Sequence, residues 1–533
     1  MPTLNWIGKA AVVNHHLQVP FHLLKDVPSL ACGEPGNGNL IVQGDNLVAL
    51  KALLPYYAGQ VKCICIDPPY NTGNENWVYN DNVNSPIIRD WLGKVVGSEG
   101  ETLDRHDRWL CLMYPRLALL RKFLRSDGAI FVCIDDVEVA YLRLLMDELF
   151  GAHNFIGNFV WQSKDTPGNN SSGVAETHNH IIAYRRSDAF QPNLLARNEK
   201  QVGTYTNPDN DPRGPWLAAP LTRVEHRDRD YYAIKNPVGK EILPPKGSSW
   251  RRPPAKMKQL ASDNRVWWGK SGDSEFPMEK KFLSEAKEGV VNQTWWPYDF
   301  AGSTRNASAE MKDLFAGAKP FDTPKPAQLF KVIISLSCDS NDLVLDSFAG
   351  SGTTGHAVLS LNKQDGGNRR FILVEMEANI AREITAERVR RVAEGYKNAK
   401  GEKVEGLGGG FRYCELGDPL FYKDGKIREY VSFDDLARHV YFTETGEPLP
   451  REKQTTSPFL GECRGVGIYL LYNGILGDKT ANGGNVLTRA VLARLPKYDG
   501  QKVIYCAGCL LGRDRLQAER IIVRQTPYEI KIS

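Results

Sequence analysis

Nowhere in the 533 residues do apolar side chains run for the roughly 18 positions that a membrane helix needs. The opening stretch, Met1 to Ala10, lacks the basic patch and apolar run of an export signal. Charge of one sign is missing too: 67 basic side chains meet 63 acidic ones, for a formal net charge of +4. That balance excludes phosphate binding over the whole surface, so any nucleic-acid contact must rest on a local basic patch. The ten cysteines do not make the two well-spaced pairs of a structural zinc site. Cys506 and Cys509 form a lone CxxC, Cys63 and Cys65 a CxC inside the apolar run VKCICI, and Cys414 and Cys463 stand at irregular distances. They read as reduced thiols of a cytoplasmic chain, packed as small hydrophobes, and no metal is expected. The single GKS, Gly269 to Ser271, has no glycine five residues before Gly269, so no P-loop motor is visible. Internal repeats and low-complexity tracts are absent as well.

What is present is the composition of an ordinary globular protein, 42% hydrophobic and 24% charged, long enough for about three domains. From Asn39 onward short apolar runs alternate with helical patterns. NLIVQGDNLVAL reads as strand, turn and helix, continuing to Leu54. VKCICIDPPYNTG, Val61 to Gly73, reads as a buried strand and loop, followed by a polar loop. WLCLMYPRLALLRKFL (Trp109 to Leu124) has helical spacing. AIFVCIDD is another buried strand, Val137 to Phe150 a helix, and NFIGNFVWQ a further strand. Unbroken apolar strands alternating with helices imply an α/β domain whose mostly parallel sheet is covered on both faces. The pattern fades between Glu199 and Lys319, where six of the eleven tryptophans sit among basic residues, as in SSWRRPPAKMK and RVWWGK. That segment is either an irregular insert with a tryptophan core or a module that contacts nucleic acid. The α/β texture returns with a helix at KVIISLSC and a strand at NDLVLDSF. A loop, a helix (HAVLSLN) and a strand (RRFILVEME) follow, then an amphipathic helix from Ile380 to Asn398. A Lys/Gly/Glu run near Lys400 to Gly410 reads as a linker to a last α/β domain, 411–533. The expected segments are therefore 1–198, the insert 199–319, 320–400 and 411–533.

Two motifs carry chemistry. Asp67-Pro68-Pro69-Tyr70 ends a buried strand. Two prolines freeze the backbone, so the Asp67 side chain and the Pro68 carbonyl can converge as acceptors beside the flat face of Tyr70. That arrangement suits an exocyclic amino group on a planar base; the alternative is a rigid turn. The second motif, Asp346-Ser-Phe-Ala-Gly350-Ser-Gly352-Thr-Thr-Gly355, follows a strand and opens a helix, which offers free N–H groups and close backbone approach. Its glycine spacing is not that of a dinucleotide fold, and it has no P-loop lysine. A structural turn remains the alternative. Glu375 ends the next strand, placed to accept hydrogen bonds from two ribose hydroxyls.

Together these residues resemble the S-adenosylmethionine-dependent amino-methyltransferases of DNA. Asp67 to Tyr70 with Asn71-Thr72-Gly73 resembles their catalytic motif, and Asp346 to Thr354 their cofactor loop. The catalytic motif comes first and the cofactor loop last, with a variable region between, which is the order of the circularly permuted beta class. Gly44-Asp45-Asn46 resembles the loop that touches the cofactor adenine, and FDTPKPAQLF (Phe321 to Phe330), with Lys325, the helix start that closes the cofactor site. The tail segments HVYFTETGEP and RQTPYEIKIS are similar to those of type III restriction–modification modification subunits.

The resemblance implies a Rossmann-like methyltransferase fold with an inserted target-recognition domain at 199–319. It implies catalysis by Asp67, Pro68, Pro69 and Tyr70. S-adenosylmethionine would be held by Asp45, Asn46, Asp346, Phe348, Ala349, Gly350, Ser351, Gly352, Thr353, Glu375 and Lys325. The implied substrate is double-stranded DNA with a flipped adenine, methylated at N6. A homodimer and a separate restriction (helicase–nuclease) subunit are implied as partners, with work in a prokaryotic cytoplasm at the nucleoid. Cytosine ring-carbon chemistry needs a Pro-Cys pair that the sequence lacks. Cytosine N4 methylation and a non-catalytic recognition subunit remain as alternatives.

Overall fold

The computed structural model describes residues 3–33, 38–71, 93–94, 105–166, 173–197, 199–450, 457–474, 480 and 483–526. Thr72, Gly73, most of the polar loop expected after them, and the last residues of RQTPYEIKIS lie outside the described residues. The chain divides into two compact units, 1–193 with 293–533, and 194–292.

The larger unit is built on one sheet of ten strands. In chain order they are β1 (His22–Asp26), β2 (Leu40–Gln43), β3 (Val61–Ile66), β4 (Leu124–Ile134), β5 (Phe155–Trp161), β6 (Asn179–Arg185), β7 (Trp295–Trp296), β8 (Leu343–Asp346), β9 (Arg370–Glu375) and β10 (Arg412–Pro419). Across the sheet they lie in the order β1-β10-β2-β9-β8-β3-β4-β6-β5-β7. The run from β10 to β4 is parallel, and β6 is antiparallel to both neighbours. All six residues of β3 are buried, as an unbroken apolar strand in a two-sided sheet should be. The helices α1 (Asn46–Tyr57), α2 (Arg105–Phe123), α3 (Val139–Phe150), α4 (Thr304–Leu314), α5 (Ala327–Ser337), α6 (Thr353–Asp365), α7 (Glu387–Glu394) and α8 (Phe433–Thr445) accompany this sheet. Strands, α1, α2, α3 and α8 share one hydrophobic core, with Trp109, Leu117, Phe123, Ile130 and Leu145 fully buried in it. The elements expected between Asn39 and Glu375 form where the patterns place them. None of the ten cysteines forms a disulfide and eight are buried, in agreement with their reading as small hydrophobes.

Three boundaries move. Residues 293–319, expected in the insert, belong to the larger unit. Trp295 and Trp296 pair there with β5, and Trp296 stacks on Phe159 at 4.7 Å. The region after Phe411 lies in the same compact unit: β10 runs parallel to β2 inside the sheet, and Leu436, Val440 and Tyr441 of α8 lie in the common core. A second sheet of four strands, Phe459–Cys463, Val466–Leu470, Gln501–Cys506 and Ile521–Gln525, packs a core of its own around Tyr469 and Ile504. The helix expected over 380–398 winds as a π-helix over Ile380–Ala386 and stops at Gly395. Gly395 has φ +98°, and a Cβ there would meet Val404 O at 2.6 Å. A short hairpin, Gly395–Lys397 with Lys403–Glu405, runs into the linker expected from Lys400 to Gly410.

The smaller unit carries a three-stranded antiparallel sheet, Val266–Trp267, Met278–Phe282 and Trp216–Pro220, and the helix Pro254–Ser262. Trp250 and Trp268 pack with Leu221, Ile242, Met257 and Leu260. Trp216 is buried and donates to Asp209 Oδ1 at 2.9 Å. Three of its four tryptophans are thus core side chains, unavailable for stacking on bases.

Candidate active site

Four parallel strands, β2, β9, β8 and β3, end side by side, and each releases a segment singled out in the sequence. Ligands of open α/β sheets bind outside such carboxyl ends, where connections diverge to the two sides. The loops are laced together by the backbone: Gly44 N donates to Glu375 O at 2.9 Å, and Ala349 N to Val374 O at 3.0 Å. A cleft there is lined by Asp67, Phe321, Thr323, Lys325, Phe330, Asp346, Phe348, Ala349, Gly350, Ser351 and Thr353. The structure therefore brings the Asp67 motif and the glycine-rich loop to one opening, although 279 positions (346 − 67) separate Asp67 from Asp346 in the chain.

Asp67 follows the last residue of β3. Its Oδ2 accepts from Lys325 Nζ at 2.5 Å, while its buried Oδ1 makes no hydrogen bond of ordinary geometry. The same ammonium lies 4.8 Å from the centre of the Tyr70 ring. Burial, reinforced by the Asp67 charge, pushes the Tyr70 phenol well above its ordinary range, so the ring stays neutral. Pro69 O accepts from Trp109 Nε1 at 2.7 Å, which fixes the turn on α2. Asp67 and Lys325 line the cleft, Lys325 against the Tyr70 ring, while Pro68, Pro69 and Tyr70 are not among its lining residues.

Asn71, the residue after Tyr70, sits at φ +61° and is buried. Its side chain donates to Glu138 Oε1 at 2.5 Å and to Arg105 O at 3.2 Å, and His106 Nδ1 lies 2.7 Å from the same Glu138 oxygen. Glu138 is fully buried and had no signal in the sequence beyond an acid after a buried strand. Replacing Glu138 with Ala leaves Asn71 and His106 facing a site with no acceptor. The expected cost is about 1–3 kcal/mol of stability, with a lower turnover because the Tyr70 turn loses its anchor. Urea denaturation of wild type, Glu138→Ala and the milder Glu138→Gln checks the order.

The second motif is held from behind. Asp346 is buried; its Oδ1 accepts from Phe348 N at 3.0 Å and its Oδ2 from Thr354 Oγ1 at 2.6 Å. Burial, with the nearby charges of Asp67 and Glu375, pushes it up to about 7 against those two hydrogen bonds. Glu375 is buried, and both its oxygens serve the backbone, Oε2 taking Gly350 N at 2.8 Å and Oε1 taking Glu377 N at 3.0 Å. Gly352 caps α6 at φ +77°, where a Cβ would stand 2.9 Å from Thr385 O. A fully buried Arg388 donates to Ser351 Oγ and Thr353 Oγ1, both at 2.9 Å, and to Glu310 Oε2 of α4 at 3.3 Å. Sequence reasoning missed Arg388 because a surface-type residue in an amphipathic pattern gives no sign of burial.

Asp45 and Asn46 serve the fold in this structure. Asp45 Oδ1 caps α1 through Leu47 N and Val48 N at 2.9 and 3.0 Å. Its Oδ2 and the Asn46 Oδ1 both accept from the buried Arg116 of α2. Asn46 Nδ2 reaches Ser347 O at 3.3 Å, next to the glycine-rich loop.

The family model for DNA methylases of the N6 and N4 class matches residues 61–387, more than half of the chain and both motifs. The chain belongs to this DNA methylase family. It is 36% identical to the type III restriction-modification enzyme StyLTI Mod subunit of Salmonella typhimurium over 84% of its own length and 70% of that protein. The EcoP15I Mod subunit of Escherichia coli is 31% identical over 70% of this chain and 64% of its own. The type II methyltransferase M.KpnI of Klebsiella pneumoniae is 31% identical over 68% of this chain and 89% of its own. The chain thus spans about two thirds of these Mod subunits and most of the smaller enzyme. It is a DNA methyltransferase that depends on S-adenosylmethionine, with relatives in restriction–modification systems. No helix among the described residues is long and apolar enough to cross a membrane.

Proposed function

We propose that this DNA methylase modifies the N6 amino group of adenine in double-stranded DNA as the modification subunit of a restriction–modification pair, working in the cytoplasm at the nucleoid. The observation that carries this reading is Asp67. It is an Asp at the end of β3, with a buried carboxylate oxygen beside a neutral aromatic ring and in the same cleft as the glycine-rich loop. The adenine amino nitrogen is a poor nucleophile, because its lone pair is delocalised into the ring. Asp67 and the Pro68 carbonyl accept its two N–H bonds and so favour a pyramidal nitrogen whose lone pair points into the cleft. Such positioning supplies much of the rate. Tyr70 stacks on the base after it leaves the duplex. The proton departs after transfer, and Asp67 is placed to take it. A Ser in place of Asp67 is commoner where cytosine N4 is the target, which favours adenine. Tritium transfer from labelled cofactor to DNA, followed by nucleoside analysis, tests the reading. N6-methyladenine is expected, N4-methylcytosine would replace the target, and no transfer would leave a recognition subunit.

The cleft fits a cationic cofactor. Asp67, Asp346 and Glu375 gather three carboxylates, and Phe321, Phe330 and Phe348 supply apolar walls. Asp346, Phe348 to Thr353, Lys325 and Glu375 would hold the cofactor, with Asp45 and Asn46 supporting the adenine end. The cofactor supplies an electrophilic methyl on a sulfonium.

A pH dependence follows from Asp346. Its folded pKa of about 7 lies above the unfolded value of 3.8. Folding therefore takes up a proton between those values, and the group's contribution to stability falls as pH rises from 4 to 7. A bound sulfonium favours the ionised form, so cofactor binding expels the proton. Affinity for S-adenosylmethionine is expected to rise between pH 6 and 8, and more steeply than for the uncharged thioether product. Calorimetry at several pH values checks the difference.

The insert is proposed to set sequence specificity, with its limits now at 194–292. Exchanging that span for a relative's should change the methylated sequence and leave the reaction type alone. Methylation of the original site by the chimaera would locate recognition elsewhere. A homodimer and a restriction subunit are the proposed partners, the latter docking on the C-terminal region. A cleft there of about 790 Å³ is lined by five basic residues, Arg489, Lys497, Lys502, Arg515 and Arg520, against two acidic ones, Asp499 and Glu519. Deletion from Gly410 is not a clean test, because it removes β10 from the sheet. Charge reversal at Arg489 and Lys497 is, with co-purification and sedimentation as readouts.

A further inference from the structure

One group of side chains outside the methyl-transfer cleft has metal-ligand geometry among the described residues. Asp136, His178 and His180 each offer one ligand atom, and these atoms lie within 4.8 Å of one another. His178 immediately precedes β6 and His180 is its second residue, and their rings lie side by side with centroids 5.1 Å apart. β6 runs antiparallel to β4 with His180 opposite Ile134, which brings the turn after β4, and Asp136 in it, beside the two rings. Asp135 Oδ1 accepts from Val137 N at 3.0 Å and so sets that turn.

The distances suit a small divalent ion. Zinc bonds of about 2.0–2.2 Å to nitrogen and oxygen place tetrahedral ligand atoms roughly 3.3–3.5 Å apart. Here His180 Nε2 to Asp136 Oδ1 is 2.7 Å and His178 Nε2 to Asp136 Oδ2 is 3.8 Å, on either side of that spacing. The rings stand at 82° to each other with centroids 5.1 Å apart. His180 Nδ1 lies 3.2 Å from Asn158 Oδ1 of β5. The Nε2 of the same ring faces the Asp136 carboxylate, so each ring nitrogen of His180 has a polar neighbour. A partner on the far ring nitrogen is also the usual second support of a metal-bound histidine. The second histidine, His178, brings its Nε2 to the other oxygen of the same carboxylate, so three ligand atoms converge.

We infer that Asp136, His178 and His180 form a binding site for a first-row divalent cation of the zinc type, open on its solvent side to water or an anionic oxygen. The site pins the turn after β4 to β6. Cysteine spacing could not reveal it, because Asp136 is remote in sequence from the histidine pair.

The test uses the untagged, chelator-treated full chain titrated with Co²⁺ as a spectroscopic probe. One equivalent should bind with visible d–d absorption, be displaced by Zn²⁺, and raise the melting temperature. His178→Ala and His180→Ala should each weaken binding about 100-fold or more, and Asn158→Ala about 10-fold. Asp136→Asn preserves the shape of the turn and should also lose the thermal shift; it serves if a histidine variant fails to fold by circular dichroism. Absence of saturable Co²⁺ binding to the wild type overturns the inference. So does binding that persists at unchanged affinity in folded His178→Ala/His180→Ala protein.

Discussion

Asp67→Ala is expected to lower methyl transfer by a hundredfold or more while cofactor affinity stays within a few-fold of wild type. The carboxylate is proposed to hold the target amino group. Loss of one transition-state partner in a preorganised site costs about 2.7–4 kcal/mol. The structure adds a complication: the mutation also releases Lys325, whose ammonium rests on Asp67 Oδ2. An unpaired ammonium left in a cleft that takes a sulfonium would repel it. Asp67→Asn separates the two effects, because it removes the charge and keeps an oxygen near its place. If acceptance of the amino protons is what matters, Asn retains more activity than Ala in single-turnover assays at saturating cofactor. Lys325→Met should raise the KM for DNA or cofactor without matching the Asp67→Ala loss in kcat. Near-normal single-turnover rates in Asp67→Ala would remove Asp67 from the reaction.

The sheet could be read from the sequence wherever strands were continuous apolar runs. VKCICI, AIFVCI, LVLD and RFILVE all form strands at those places, because full burial on both faces leaves no polar alternation to obscure them. The strands that were not anticipated are those with mixed patterns: β1 with HLLKD, and β6 with its leading histidine. β10 was anticipated only as part of a separate domain, since composition shows a glycine-rich linker before it and cannot show that it returns to pair with β2. The same limit misplaced the end of the insert, where a tryptophan pair counted as insert texture packs on Phe159 instead. At the site, the motif residues were legible because prolines, glycines and acids at strand ends have few other uses. Their supports were not. Arg116, Arg388 and Glu138 are charged residues that the fold buries, and only tertiary contacts tell them from solvated surface.

Glu375 is a support of the glycine-rich loop and is proposed to be a cofactor ligand as well, and its removal should have the second large effect. Sequence position alone suggested a partner for two ribose hydroxyls. In the structure each carboxylate oxygen already accepts a backbone N–H, from Gly350 and from Glu377, and each still has a lone pair to offer. Glu375→Ala therefore takes away the proposed ribose acceptor and leaves the Gly350 N–H buried without its partner, at a cost of about 1–3 kcal/mol for that group alone. The glycine loop, which Thr385 Oγ1 also holds through Gly350 O at 2.5 Å, should loosen without unfolding the sheet. Affinity for the demethylated cofactor product is expected to fall by a hundredfold or more, with a smaller loss of global stability. Glu375→Gln retains one oxygen. If that oxygen keeps Gly350, the loop stays in place and only the ribose contact weakens, so its affinity should lie between wild type and Ala. Isothermal titration of the three proteins, alongside their thermal melts, separates the roles. Equal affinities with unequal melts would make Glu375 a loop anchor only. Equal melts with unequal affinities would make it a ligand only.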